Sequence, residues 1–224
     1  DGKYYIQSKL GTVLDVTSAS AAAGTNVQTY TFNQSTAQKW TLLETEKTLY
    51  SIMGKTNVSV SQMVKFYKNK ATVSYPYSNV SEAPTIEKFC QIYKEESEVE
   101  GVKAEVAFAQ AMMETGFLKF GGDVKKDQYN FAGIGAIGGG SSGAKFDSIR
   151  IGIRAHVQHL KAYASKEALK QPVVDPRFQY VKRGSAEYVQ WLGQKENPNG
   201  YGWATAKNYG NNIVKLYILP MKKY

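Results

Sequence analysis

The sequence predicts a mainly α-helical domain preceded by a small all-β unit. Residues 1–43 show no helical period and contain short β-prone runs, such as TVLDV and NVQTY, between turn-forming stretches. From Thr85 onward, apolar residues recur at helical spacing in five segments. A glycine-rich span, 116–145, interrupts these segments, and an irregular span of that length inside a compact domain usually has a functional role.

The composition excludes several classes of protein. The 224 residues contain no apolar run long enough to cross a membrane, and we expect any export signal to lie outside this fragment. The net charge of +9 favours an anionic partner, but the basic residues are dispersed and match no nucleic-acid-binding motif. We therefore expect no nucleic-acid partner and no membrane span, and an anionic cell-wall polymer such as teichoic acid fits the charge.

The β unit carries three short motifs in order, LDV, NVQTY and QKW. Together they resemble one repeat of a ricin-type β-trefoil lectin. The resemblance implies sugar binding by Asp15, Gln28, Tyr30 and Gln38, and Ala37 stands where that family often has asparagine. A trefoil needs three repeats, so we expect residues 1–43 to be the last repeat of a longer lectin; the alternative is an inert β cap packed on the next domain.

Residues 44–84 are predicted to connect the two domains. Within them, SVSQMVKFYKNK has the spacing of a short amphipathic helix, and the following residues up to Pro84 are typical of an extended surface segment. The helices of the second domain are predicted at 85–97, 102–115, 149–164, 185–193 and 208–218.

Glu114 is a candidate general acid. It lies four residues after Gln110 and eight after Val106, at the edge of the packing stripe of its helix. Glu105 is rotated about 180° away, so only Glu114 can enter a cleft on that face. The negative end of the helix dipole and partial burial both raise the pKa of a carboxylate placed there. The alternative is an edge glutamate paired with a surface lysine or arginine.

Two longer motifs refine this interpretation. The run AEVAFAQAMMETGFLKFGGDV, followed by QYNFAGIGA, resembles glycoside hydrolase family 73, the bacterial β-N-acetylglucosaminidases that cut peptidoglycan, and in particular the clostridial autolysins. The resemblance continues through GIRAHVQHLKAYAS, DPRF and GWATAKNYGNNI and covers about residues 50–221. It implies a lysozyme-like glucosaminidase domain with a deep groove, which we assign to residues 85–224, and it places the catalytic glutamate at Glu114.

The resemblance also implies where substrate binds. The stretch Asn130, Phe131, Ala132 and Gly133 would line the groove floor, where glycine lets the backbone approach a sugar closely. Aromatic walls would come from Tyr201, Trp203 and Tyr209, with Tyr209 as the tyrosine beside the acid, although Trp203 fits a core position equally well. Gln110, one helical turn before Glu114, completes the predicted substrate-binding set.

A second carboxylate is harder to place. Some family members supply a glutamate from a β-lobe, but residues 128–166 contain a single acidic side chain, Asp147, which is therefore the best candidate from that lobe. The alternatives are substrate assistance by the 2-acetamido group and a loosely held water on an inverting path.

The remaining motifs predict no cofactor. His156 and His159 are three apart on a helix, but no acidic or cysteine ligand accompanies them and no H-E-x-x-H motif is present, which favours structural histidines over a metal site. The run GAIGGGSSG, 135–143, lacks the ending of a phosphate-binding loop and is interpreted as a lip of the groove.

The sequence therefore predicts a secreted, cell wall-associated autolysin that cleaves the GlcNAc to MurNAc bond of peptidoglycan glycan strands. Two alternatives stay open. One is a cell-wall-binding protein that kept the groove without activity, and the other is a muramidase that cuts the neighbouring glycosidic bond.

Overall fold

The computed structural model describes residues 3–40, 49–136 and 143–224, and the chain divides into two compact units, Asp1–Thr48 and Leu49–Tyr224. The first unit contains a two-stranded antiparallel sheet and the second is predominantly helical, which confirms the expected fold class. In the described ranges, no helix combines the length and the apolar character that a membrane crossing requires.

The β unit is built around Asp15. Strand β1, Val13–Val16, pairs with strand β2, Val27–Tyr30, so that Asp15 lies opposite Gln28. The Asp15 carboxylate accepts hydrogen bonds from Gln28 Nε2 at 3.2 Å and from the buried Gln38 Nε2 at 3.1 Å. Three of the four predicted sugar-binding residues thus bond to one another, while Tyr30 is exposed. Sugar binding by this unit stays a prediction.

The second unit contains four longer helices, three of which begin at a side-chain cap. They are α1, Val60–Lys70, α2, Ile86–Glu100, α3, Ala104–Glu114, and α4, Ile149–Ala164. Side chains of Ser59, Thr85 and Ser148 accept backbone hydrogen bonds at the starts of α1, α2 and α4, and Gly101 ends α2 in the left-handed conformation. The predicted bounds of these helices are thereby confirmed to within a few residues.

The chain ends in a helical segment with three parts. They are α5, Tyr209–Asn212, a π-helical turn, Ile213–Ile218, and α6, Leu219–Met221. This segment packs against α3, so the C-terminus of the chain covers the helix that carries Glu114.

Most of the predicted connector belongs to the helical unit. Ile52, Met63, Phe66 and Tyr77 are buried in its core, and Met53 forms an isolated β-bridge with Val102. The segment after α1 is a surface segment only in part: residues 72–74 are exposed, but its aromatic rings pack against α2, with Tyr77 and Phe89 stacked 6.3 Å apart. Residues 41–48, at the junction of the predicted β unit and connector, lie outside the described residues.

The predicted helix at 185–193 is wrong except for one 3₁₀ turn, Val189–Leu192. The preceding backbone pairs with other segments instead of with itself: Glu187 O accepts from Ile52 N, and Val189 N donates to Tyr50 O. These bonds satisfy the backbone groups that a helix would have used.

Helix α3 is enclosed on all sides, with every residue from Ala104 to Met112 buried. Glu105 lies on the far side from Glu114, as predicted, but it is fully buried and accepts hydrogen bonds from Tyr50 OH at 2.8 Å and from Asn57 N at 3.3 Å. Only the C-terminal end of α3 reaches the surface.

Candidate active site

Glu114 is the last residue of α3 and lines a cavity of about 190 Å³. The cavity is formed by the end of α3, the loop that follows it and the glycine-rich span. Its lining residues are Glu114, Thr115, Phe120, Gly122, Asp123, Val124, Asn130, Gly133 and Ala136. The position predicted for a general acid is therefore at the wall of a concave site.

The environment of Glu114 favours its protonated form. Although solvent reaches the side chain, protein atoms surround the carboxyl group closely, and this desolvation raises its pKa. Tyr209 OH donates a hydrogen bond to Glu114 Oε1, which opposes the rise by stabilising the ionised form. The net shift of the Glu114 pKa is upward.

Behind Tyr209, a chain of buried hydrogen bonds fixes the phenol. Gln110 Nε2 donates to Tyr209 OH at 2.8 Å, and Gln110 Oε1 lies 2.9 Å from His156 Nε2. Since an amide oxygen only accepts, His156 carries its proton on Nε2, and its Nδ1 accepts from Tyr93 OH at 3.2 Å. Each hydrogen bond in the chain therefore points toward Glu114.

His156 is neutral in this chain of hydrogen bonds. It is fully buried, and burial together with the neighbouring His159 lowers its pKa to about 3. A neutral imidazole with a single N–H is what the donors and acceptors on either side require.

The start of α5 places Tyr209. Asn208 adopts the left-handed conformation just before it, with φ at 62°. Gly210 then packs so closely on the preceding segment that a Cβ atom would lie 1.9 Å from the carbonyl oxygen of Val189. Glycine is required there because any side chain would push α5 away from Glu114.

The glycine-rich span is held by Asn130. Its buried side-chain amide donates to Ile134 O at 2.9 Å and Ala144 O at 3.0 Å and accepts from Ile134 N at 2.9 Å. These bonds fold the NFAG stretch into a tight loop with Gly133 at φ of 66°. Asn130 and Gly133 both line the cavity, so backbone groups form part of its wall.

A second cavity, of about 220 Å³, adjoins the first at Gly133 and Ala136, which line both. Its other walls are mainly aromatic and basic side chains. They come from Ile134, Gly135, His159, Tyr163, Arg177, Tyr180, Val181 and Trp203.

One side of the second cavity is fixed by a buried carboxyl group. His159 Nδ1 lies 2.6 Å from Oδ2 of the buried Asp175, and the imidazole packs edge-on against Trp203, with ring centres 4.6 Å apart. Trp203 is therefore held in one orientation at the cavity wall.

Residues 90–218, more than half of the chain, match the glucosaminidase family model, described as mannosyl-glycoprotein endo-beta-N-acetylglucosaminidase. The chain belongs to the glucosaminidase family. The resemblance to glycoside hydrolase family 73 is thereby confirmed, as is the expectation of a glycoside hydrolase domain of the endo-β-N-acetylglucosaminidase type.

Three further similarities are found. Residues 1–73 match a ricin-type beta-trefoil lectin domain-like model, although the structure assigns α1 to the helical unit. An uncharacterized protein of Borreliella burgdorferi is 46% identical over 132 residues, which are 59% of this chain and 61% of that protein. The crystal structure of S. aureus autolysin E in complex with a muropeptide superposes with a TM-score of 0.49 at 20% identity, over 78% of this chain and 72% of that one.

In this glucosaminidase domain, two of the predicted substrate-binding side chains are fully buried. Phe131 is fully buried, with its ring 5.1 Å from that of Phe89, and so faces the core instead of the cavity. Gln110 is also fully buried and lies behind Tyr209. Both side chains therefore lie behind the cavity. Their neighbours Gly133 and Glu114 form the lining instead.

Tyr201 and Asp147 lie elsewhere on the surface. Tyr201 is exposed, and Lys182 Nζ lies 3.9 Å from its ring centre. Asp147 is exposed immediately before Ser148, the residue that caps α4. Neither belongs to the described lining of the two cavities, whereas Trp203 lines the second one.

Asp123 is a cavity residue that the sequence reasoning missed. Asp123 precedes residues 128–166, the segment from which the second carboxylate was predicted. The signal was present in the motif FGGD, whose aspartate is nine residues after Glu114 and whose two glycines let the chain turn back toward the helix end.

The two histidines have separate roles. His156 supports Gln110 in the core, and His159 contributes to the second cavity. The described ranges contain no cluster of three His, Cys, Asp or Glu side chains suited to a metal ion. Within the predicted groove lip, residues 137–142 lie outside the described residues.

Proposed function

We propose that this glucosaminidase domain hydrolyses the GlcNAc to MurNAc bond of peptidoglycan glycan strands, with Glu114 as the general acid. The observation that carries the proposal is the position of Glu114: at a cavity wall, with its pKa raised by desolvation and with Tyr209 donating to one carboxylate oxygen. A carboxyl group kept protonated toward neutral pH can protonate the oxygen of the leaving sugar.

Tyr209 acts both before and after the proton transfer. Before transfer, it occupies Oε1 and so leaves Oε2 to carry the proton toward the substrate. After transfer, the same phenol stabilises the carboxylate that remains, because a hydrogen bond to an ionised acceptor is stronger than one to a neutral acceptor. Gln110 and His156 hold the phenol in place through both stages.

The two adjoining cavities give room for more than one sugar of a strand. The faces of Trp203 and Tyr163 in the second cavity offer apolar surface for a pyranose ring, with Arg177 beside them. Backbone groups around Gly133 lie between the two cavities and can hold the acetamido group of an N-acetyl sugar. We assign the strand a path through both cavities.

The choice of peptidoglycan over a glycoprotein rests on two sequence features. The ETG and NFAGIG motifs resemble the peptidoglycan-cutting family, and the net charge of +9 favours a polymer that carries carboxylates. On this basis we propose a secreted, cell wall-associated enzyme, with teichoic acid as a further anionic partner and the lectin-like unit as a wall-binding element.

One observation favours a second candidate function. Asp147, the only acidic side chain predicted from the lobe, does not belong to the described lining of either cavity. A domain whose lobe supplies no carboxylate to the groove fits a wall-binding protein without activity. A muramidase is the remaining alternative, since the groove itself does not select the bond.

The test is digestion of purified peptidoglycan, followed by borohydride reduction and mass spectrometry of the reduced sugars. Reduced GlcNAc ends support the proposal, and reduced MurNAc ends would identify a muramidase. No release by a folded protein that still sediments with the wall would favour the wall-binding function. A high-mannose glycoprotein serves as the comparison substrate, and its cleavage in place of peptidoglycan would contradict the proposed substrate.

A further inference from the structure

We propose that Asp123 is the second catalytic carboxylate, which accepts the proton of the water that attacks the anomeric carbon. The inference rests on the proposed function and concerns a residue outside the segment where the sequence predicts a second carboxylate. Asp123 and Glu114 line the same cavity of about 190 Å³.

The loop after α3 brings Asp123 back to Glu114. Gly116, Phe117, Leu118, Phe120 and Gly121 all adopt positive φ, so the chain reverses immediately beyond the helix. Backbone strain of this kind in non-glycine residues persists only where the surrounding structure holds it, and it concentrates at functional sites.

Thr115 fixes this reversal. Its hydroxyl donates to Ala111 O at 2.7 Å and accepts from Leu118 N at 3.0 Å, and its carbonyl accepts from Phe120 N at 2.8 Å. Leu118 is buried and anchors the loop in the core. The loop therefore has a defined path that ends with Asp123 at the cavity.

The two carboxylates have unlike surroundings. Both side chains are exposed to solvent, but protein atoms desolvate the Glu114 carboxyl group and Tyr209 donates to it, whereas Asp123 makes no hydrogen bond or ion pair with any residue that the structure describes. Such a contrast between two carboxyl groups at one cavity is typical of an acid and base pair. A carboxylate that water can reach, with no protein partner to satisfy, is suited to accept a proton from water.

Other acidic residues of the domain are bonded to other groups or lie outside the cavity. Glu105 is buried and bonded to Tyr50, and Asp127 pairs on the surface with Lys145 at 3.7 Å. Asp147 lies outside the described lining of the cavity. Within that lining, Glu114 and Asp123 are the two acidic residues.

The proposed step is a single displacement. The water oxygen bonds to the anomeric carbon as the bond from that carbon to the leaving oxygen breaks. Asp123 takes a proton from the water, and the leaving oxygen takes the proton of Glu114. The β-linked sugar is released as the α-anomer, and the two carboxyl groups exchange their protonation states with no further reactant.

The test compares Asp123→Asn with Asp127→Asn on soluble peptidoglycan fragments. Both side chains are exposed, and only Asp123 lines the cavity, so Asp127→Asn is the matched control. We expect kcat/KM to fall by about 10²-fold or more in Asp123→Asn and to stay at the wild-type level in Asp127→Asn. Equal thermal melting of all three proteins verifies the fold.

Two further measurements test specifically whether Asp123 acts as a base. Proton NMR of the wild-type reaction should show the α-anomer first, and added azide should restore turnover in Asp123→Asn with formation of an α-glycosyl azide. A β-anomer, a β-glycosyl azide or normal turnover in Asp123→Asn would overturn the inference, as would a loss confined to Asp147→Asn. An inactive wild-type protein would instead overturn the proposed function and, with it, this inference.

Discussion

Tyr209 donates a hydrogen bond to the carboxylate of Glu114 from 95 residues further along the chain. The pair joins the end of α3 to the start of α5, the helical segment that closes the domain. It also ties the protonation of Glu114 to a buried row of side chains, Gln110, His156 and Tyr93. Several measurable properties depend on that link.

The activity should fall as the pH rises through the raised pKa of Glu114. A general acid acts only when protonated, so the alkaline limb of the pH profile of kcat/KM reports the pKa of this group. Tyr209→Phe removes the hydrogen bond that lowers the Glu114 pKa, and the limb should then move to higher pH while the maximal rate drops. The measurement is a pH profile of both proteins; a limb that stays fixed or moves to lower pH would contradict the role of Tyr209.

His156 should act as a positioning residue through Gln110. His156→Phe leaves the buried Gln110 Oε1 without its donor, which costs about 1–3 kcal/mol and loosens the phenol. We expect lower kcat, little change in KM, and an alkaline limb displaced in the same direction as in Tyr209→Phe. His156→Gln keeps a donor on its side-chain amide and should recover part of the rate. Loss of stability without any shift of the pH limb would mean that His156 is only structural.

Trp203 should contribute to binding of longer glycans. Trp203→Ala removes the aromatic face from the second cavity, so KM should rise for fragments long enough to reach it. Short fragments that occupy only the cavity at Glu114 serve as the internal control. Equal effects on long and short fragments would argue against a path of the strand through both cavities.

The boundary of the helical domain can be tested by truncation. A fragment that starts at Leu49 should fold, and it should hydrolyse soluble fragments like the full chain, because the compact unit begins there. A fragment that starts at Thr85 lacks Ile52, Phe66 and Tyr77 from the core and should fail to melt cooperatively. Cooperative melting of the shorter fragment would restore the connector interpretation of residues 44–84.

The sequence predicted the helices well wherever local signals agreed with packing. In α4, the cap at Ser148 and the apolar period coincide, and the predicted and observed bounds are identical. The segment 185–193 failed because backbone pairing with residues 50–52 outweighed its helical period. Such pairing joins residues that are far apart in sequence, and no local pattern records it.

The residues of the candidate site also differ in how far the sequence predicts their positions. The position of Glu114 at the exposed end of α3 was predictable because helix geometry places it at the edge of the packing stripe. The inward positions of Phe131 and Gln110 were not predictable, because they depend on how the glycine-rich span and α5 fold over α3. The turn at FGGD depends on backbone φ angles. The sequence allows these angles but does not require them.

The decisive measurement for Glu114 as the general acid compares Glu114→Gln with wild type on two substrates. One is a soluble peptidoglycan fragment, and the other is the matching dinitrophenyl glycoside, whose leaving group needs no proton. Glu98→Gln, exposed on α2, is the control. We expect Glu114→Gln to lose about 10²-fold or more on the natural glycan and much less on the activated one. Equal losses on both substrates, or activity retained on the glycan, would contradict the assignment of Glu114 as the general acid.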